Sequence, residues 1–119
     1  MEHLFIPTQT FEKSYKRLKK KYLSLKTDLE KFKKEYNENP SIGSDLGGGF
    51  RKIRVAIQSK NRGKSGGARI ITYEICIKTE DKVVIMVEIY DKGEISTLLD
   101  NEYEIALRDF LEKGLPPYA

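Results

Sequence analysis

Ala68-Arg69-Ile70-Ile71-Thr72-Tyr73-Glu74-Ile75-Cys76-Ile77-Lys78 and Val83-Val84-Ile85-Met86-Val87-Glu88-Ile89-Tyr90 are two runs rich in β-branched and aromatic residues, joined by Thr79-Glu80-Asp81-Lys82. Apolar runs of this length, bounded by a polar turn, read as strands. Their closeness predicts a central antiparallel hairpin. Upstream, Ile53, Val55 and Ile57 alternate with Lys52, Arg54 and Ala56. That period of two marks a half-buried strand whose polar face carries positive charge. Residues 60–67 form a glycine-rich turn between these strands, and residues 41–49, SIGSDLGGG, read as a loop. Downstream, Asp91-Lys92-Gly93 is a turn. A last helix follows Asp100, with Tyr103, Leu107, Phe110 and Leu111 on one face, ended by Gly114 and Pro116.

The N-terminal third changes period. Leu4 to Ile6 is a short apolar run ended by Pro7, which predicts an edge strand. Phe11, Tyr15, Leu18, Tyr22, Leu25, Leu29, Phe32 and Tyr36 then recur at alternating intervals of four and three, which is helical spacing. A single long arm and a helical hairpin both fit. The hairpin is preferred, because Ser24 and Thr27 are N-cap types within the pattern and Thr27-Asp28-Leu29-Glu30 fits a capping box. The apolar stripe would bury against a sheet. Lys13, Lys16, Lys19, Lys20, Lys33 and Lys34 would form a solvated outer face. Asn39-Pro40 stops the second helix. The order of one strand, two helices, three strands and one helix predicts an α+β fold around a small antiparallel sheet. With 119 residues and neither linker nor repeat, the whole chain, 1–119, reads as one domain.

Several function classes are disfavoured. No apolar run approaches the roughly 20 residues of a membrane span, and the N-terminus lacks a signal-peptide pattern. A cytoplasmic protein with no membrane role is expected. Cys76 is the single cysteine and His3 the single histidine. Neither a disulfide, a metal site nor a cofactor is expected, and a Ser-His-Asp triad would have to use His3, which reads as structural. Gly63-Lys64-Ser65 resembles the tail of a phosphate-binding P-loop, but the first glycine of that motif would fall on Gln58, and a strand rather than a helix follows.

Charge is segregated along the chain. Arg51, Lys52, Arg54, Lys60, Arg62, Lys64 and Arg69 give seven bases and no acid between residues 51 and 69. From Asp81 to the end there are nine acids against four bases. A basic run interleaved with strand residues and glycines points to a polyanion.

Gly49-Phe50-Arg51-Lys52-Ile53-Arg54, then Gly63-Lys64-Ser65-Gly66-Gly67-Ala68-Arg69-Ile70-Ile71, then Val87-Glu88-Ile89-Tyr90-Asp91-Lys92-Gly93-Glu94 resemble, in order and spacing, the RelE/HigB toxins of the RelE/ParE superfamily. Phe11 to Leu29, with Lys19-Lys20-Lys21-Tyr22 and Asp28-Leu29, is similar to the helical hairpin of that family. The resemblance spans residues 4–112. It implies a RelE-like fold of a few antiparallel strands with a helical hairpin on one side. It also implies the toxin of a type II toxin–antitoxin module: an endoribonuclease that cuts messenger RNA, often on the ribosome. The implied partners are the ribosome, mRNA and a cognate antitoxin, often of helix-turn-helix type, through which operator DNA is contacted.

Metal-independent RNA cleavage needs a base for the 2′-hydroxyl, an acid for the leaving 5′-oxygen, and cations for the charged phosphorane. Arg69 matches the family's GG-x-R position, and its planar fork can hold two phosphate oxygens. A lysine crowded by other cations gives up its proton more readily; Lys52, Lys64 and Lys92 are the candidates. Tyr90 would donate a proton or stack on a base. Glu88 and Asp91 are further acid or base candidates. Arg51, Arg54, Lys60 and Arg62 would bind RNA. Some family members use histidines in the cleft, and this chain has none there. Two other readings share the basic strand: a ParE-like toxin acting on DNA gyrase without nuclease activity, and a non-toxic nucleic-acid-binding module.

Overall fold

The computed structural model describes residues 3–61, 63, 66–76, 82–95 and 100–113. The elements are β1 (Leu4–Pro7), α1 (Gln9–Lys21), α2 (Leu25–Glu38), β2 (Ser44–Gly47), β3 (Phe50–Val55), a single 3-10 turn (Gln58–Lys60), β4 (Ala68–Cys76), β5 (Lys82–Asp91) and α3 (Asp100–Glu112). Among the described residues they form an α+β fold around one five-stranded sheet, in the order β1-β5-β4-β3-β2.

The helical spacing in the N-terminal third resolves into two helices, because the backbone leaves helical geometry at Tyr22 and re-enters at Leu25. Phe11, Leu18, Leu25, Leu29, Phe32 and Tyr36 are buried against Ile53, Val55, Ile70, Val84, Met86 and Ile89 on one face of the sheet. The helix start predicted at Thr27 lies inside α2. Ser24 occupies the N-cap position, but its hydroxyl does not cap the helix and instead donates to the Asp28 carboxylate at 2.7 Å.

The expectation of an antiparallel sheet is corrected. β2, β3, β4 and β5 pair antiparallel, but β1 runs parallel to β5, from Leu4 opposite Val83 to Pro7 opposite Met86. The sheet is therefore mixed. Alternating side chains specify which face a residue occupies and say nothing of strand direction. β1 lies at the edge, where Pro7 has no ladder bond to donate. A second correction concerns residues 41–49. They contain β2, an edge strand paired with β3 through Ser44–Lys52 and Asp45–Arg51. β3 itself ends at Val55, so Ile57 is buried beyond the strand, ahead of the 3-10 turn.

α3 packs Tyr103, Ala106 and Leu107 on the opposite face, against Phe50, Ile71, Ile85, Val87 and Tyr90. β5 is thus covered on both sides, which explains the unbroken apolar run Val83–Val87. Leu111, predicted on the inner face of α3, is 45% exposed. Gly114, Pro116 and the turn at 79–81 lie outside the described residues. Among the described residues, no helix is long and apolar enough to cross a membrane.

Thr8 joins α1 to the sheet. Its hydroxyl accepts from the Phe11 amide at 3.0 Å, capping α1, and donates to the Val87 carbonyl at 2.8 Å. Thr8 is buried, so both bonds are shielded from water. Thr8→Ala is expected to lower stability by about 1–2 kcal/mol, read from urea unfolding, because it removes a helix cap and strands a buried acceptor.

Candidate functional site

Strand periodicity places Lys52 and Arg54 on the face of β3 opposite Ile53 and Val55, which pack on the helices. The β3–β4 register sets Arg54 directly across from Arg69. Lys92 enters from the turn after β5. With Ile42, Gly43 and Ser44, these four cations line one cleft of about 360 Å³. Among the described residues, no acid lines it.

Arg69 is 5% exposed, and its guanidinium donates to the Ala68 carbonyl at 3.1 Å. Loss of water around it, and then the charge of Arg54, push its pKa below the usual arginine value, against the opposing influence of Tyr90. Like charges directly opposite in a sheet repel. An anion between Arg54 and Arg69 would relieve that repulsion and take two parallel hydrogen bonds from either guanidinium. Glu74, on the same strand, accepts from the Tyr36 hydroxyl at 2.5 Å and lies 3.6 Å from the Lys82 ammonium. Glu88 accepts from the Ile89 amide at 2.8 Å. Burial raises the Glu88 carboxyl above the usual range, partly offset by hydrogen bonds from Ser14 and Ile89.

Of the residues singled out in the sequence, Arg69, Lys52, Lys92 and Arg54 come together here. Tyr90 pairs with Arg69 in register, but its ring is 2% exposed within the α3-side core, so it offers no open face for a base. Arg51 is one residue out of phase with Lys52. It points to the helix side and binds the carbonyls of Ser41, Ile42 and Gly43 at 2.6, 3.1 and 3.2 Å. Lys60 is held at 2.8 Å from the Asp91 carboxylate. Arg62 and Lys64 lie outside the described residues. His3 sits against α2, its backbone amide and its Nδ1 each 2.8 Å from Asn37 Oδ1, and its ring edge-on to Tyr36. Cys76 is exposed at the end of β4.

Sequence reasoning missed the wall formed by residues 42–44. Gly43 allows it: a Cβ there would lie 2.6 Å from the Lys52 carbonyl oxygen and 2.7 Å from Ile53. Its φ of +91° is also left-handed, which favours glycine. A glycine between Ile42 and Ser44 is the available signal, and within SIGSDLGGG it reads only as loop.

Asp91 is a buried anion behind the cleft. Burial alone would raise its carboxyl, but hydrogen bonds from Lys60, Tyr22 and the Gly93 amide together hold it below its usual value of 3.8. A carboxyl depressed in the folded state adds stability above its unfolded pKa, and that stability is lost as pH falls through the folded value. Acid unfolding is therefore expected below about pH 4. Tyr22→Phe removes one donor and brings the Asp91 value back upward, so its acid midpoint, followed by near-UV circular dichroism, should move to higher pH.

Compared with the models of known protein families, the chain matches none.

Proposed function

We propose that this chain is a RelE-like endoribonuclease toxin of a type II toxin–antitoxin module. The observation that carries this reading is the convergence of Lys52, Arg54, Arg69 and Lys92 in one cleft, with no acid among its described lining residues. Two helices ahead of the cationic strand, and a third covering the far face of the sheet, are compatible with the arrangement the resemblance implies. In this reading Arg69 and Arg54 hold the scissile phosphate and stabilise the phosphorane. Lys52 and Lys92 move protons to and from the ribose and leaving oxygens, with no metal. Tyr90, beside Arg69 in the sheet register and buried, packs next to Arg69 rather than stacking on a base. The setting is cytoplasmic: messenger RNA is the substrate, the ribosome orients it, and a helix-turn-helix antitoxin neutralises the toxin and links it to operator DNA.

Weak acid and base groups suit a substrate oriented by another body, since orientation can supply roughly 7–11 kcal/mol of a barrier. Purified protein incubated with messenger RNA is expected to cut it well with translating ribosomes and poorly without them. Equal cleavage in both tubes would show that the ribosome has no part in the reaction. One observation favours a second reading, an RNA-binding module without cleavage: among the described residues, the cleft lining has neither imidazole nor carboxylate, and the Tyr90 ring is covered. That reading expects RNA to stay intact while bound, with an affinity that falls steeply with salt.

A further inference from the structure

We infer that Asp91 is a positioning residue for the cleft, holding Lys92 in place from behind the sheet. The inference rests on the cationic cleft being the site of RNA cleavage.

Asp91 is 1% exposed and lies at the end of β5, one residue before Lys92. Its carboxylate turns away from the cleft toward the helices. One oxygen accepts from the Lys60 ammonium at 2.8 Å and from the Gly93 amide at 2.9 Å. The other accepts from the Tyr22 hydroxyl at 2.5 Å, and Lys21 stands 3.8 Å away. The Asp91 carbonyl accepts from the amides of Glu94 and Ile95, each at 3.0 Å. Glu94 is gripped in turn by the Arg17 fork at 3.1 Å on both nitrogens and by Lys21 at 3.4 Å. The residues flanking Lys92 are therefore tied to the end of α1 and to the 3-10 turn. The Lys92 amide closes the frame by donating to the Gly67 carbonyl at 3.1 Å, immediately before Ala68 and Arg69.

These bonds have a common consequence. Lys60 and Gly67 stand at the two ends of the glycine-rich loop, so the Asp91 carboxylate and the turn it holds fix those two residues relative to Arg69. The backbone of an exposed turn would otherwise sample more positions, and a misplacement of about 1 Å can cost a hundredfold in rate. Holding the turn from the helix side keeps the Asp91 charge out of the cleft. A carboxylate on the cleft side of the sheet would fix Lys92 equally well and would repel phosphate.

The test compares the full-length protein with Asp91→Asn, Tyr22→Phe and the double variant. Tyr22→Phe removes one hydrogen bond and no charge, so it keeps the test open where Asp91→Asn fails to fold. Three quantities are measured: affinity for an uncleavable 2′-deoxy-substituted RNA, single-turnover cleavage of ribosome-bound messenger RNA, and hydrogen exchange of the Lys92 amide. Asp91→Asn is expected to keep RNA affinity within about twofold while cleavage slows between about 10- and 100-fold. Tyr22→Phe should show the same split, smaller in size, and the double variant should be no slower than Asp91→Asn alone, because both act through one carboxylate. The Lys92 amide should exchange faster in every variant, and amides in the centre of β4 should not. Unchanged cleavage in Asp91→Asn, or in Tyr22→Phe where the former is unfolded, overturns the inference. So does a loss of affinity equal to the loss of rate. Should the parent itself leave RNA intact, the nuclease reading fails, and the exchange measurement still decides the clamp: a Lys92 amide as protected in the variants as in the parent overturns it.

Discussion

Arg69→Met is expected to abolish cleavage of ribosome-bound RNA, by roughly 10²- to 10³-fold, the loss found when one preorganised donor to a developing oxyanion is removed. Among the described lining residues Arg69 is the most enclosed cation, and water excluded from it cannot screen its field. Methionine keeps much of the volume, so the core beneath the cleft stays filled. Stability should change little. Desolvation and the neighbouring Arg54 already disfavour the Arg69 charge in the folded state, as its lowered pKa records. Removing that charge takes away an unfavourable contribution present at every pH at which both states keep the proton. The expected result is a thermal midpoint within roughly 4 °C of the parent, alongside the collapse in rate. Arg69→Lys keeps the charge and loses the planar fork, so its rate should fall between the two. Full cleavage by Arg69→Met would remove this residue from the chemistry, and the cleft could no longer be held to cut RNA.

Much of this arrangement is legible in the chain, and the parts that are not share physical reasons. The alternation of four and three from Phe11 to Tyr36 describes a stripe that is in fact buried, because helix geometry is local. The β4–β5 pair is legible for the same reason: both strands are apolar enough to mark themselves. β2 is hidden because its residues, Ser44 to Gly47, bury almost nothing and so leave no alternation. The parallel pairing of β1 depends on how the chain crosses over, which no local pattern records. In the cleft, period two already places Lys52 and Arg54 together and sends Arg51 to the other face with Ile53. Counting charges along the chain misses that phase. Lys60 shows a different limit. A lysine in a basic run carries no mark of whether it will meet a phosphate or a buried aspartate 31 residues away, and here it meets Asp91. Charge counting overstates a cleft wherever the fold supplies its own anion.

Gly67→Ala is the substitution expected to damage the fold most. A Cβ at Gly67 would stand 2.1 Å from the Val55 carbonyl oxygen, 3.0 Å from the Ile57 nitrogen and 3.1 Å from the Ala56 Cα. All three are backbone atoms, so no side chain can swing aside. β3 and β4 would have to part where Val55 pairs with Ala68, one register step from Arg54 and Arg69. The cost is expected at the upper end for overpacking, roughly 3 kcal/mol by urea unfolding. Cleavage should fall further than stability alone explains, since the carbonyl that receives the Lys92 amide belongs to this residue. Gly63 in the same loop supplies the control. It has a φ of +63° and, among the described residues, nothing within 4 Å of the position of a Cβ. Alanine there meets only left-handed strain, roughly 1 kcal/mol. The contrast separates two uses of glycine that look identical in a glycine-rich run: one permits a backbone angle, the other a close approach between strands. Equal losses at the two positions would mean that β3 and β4 can separate freely at their loop end, and the cleft would then lack the rigid floor on which Arg54 and Arg69 are set.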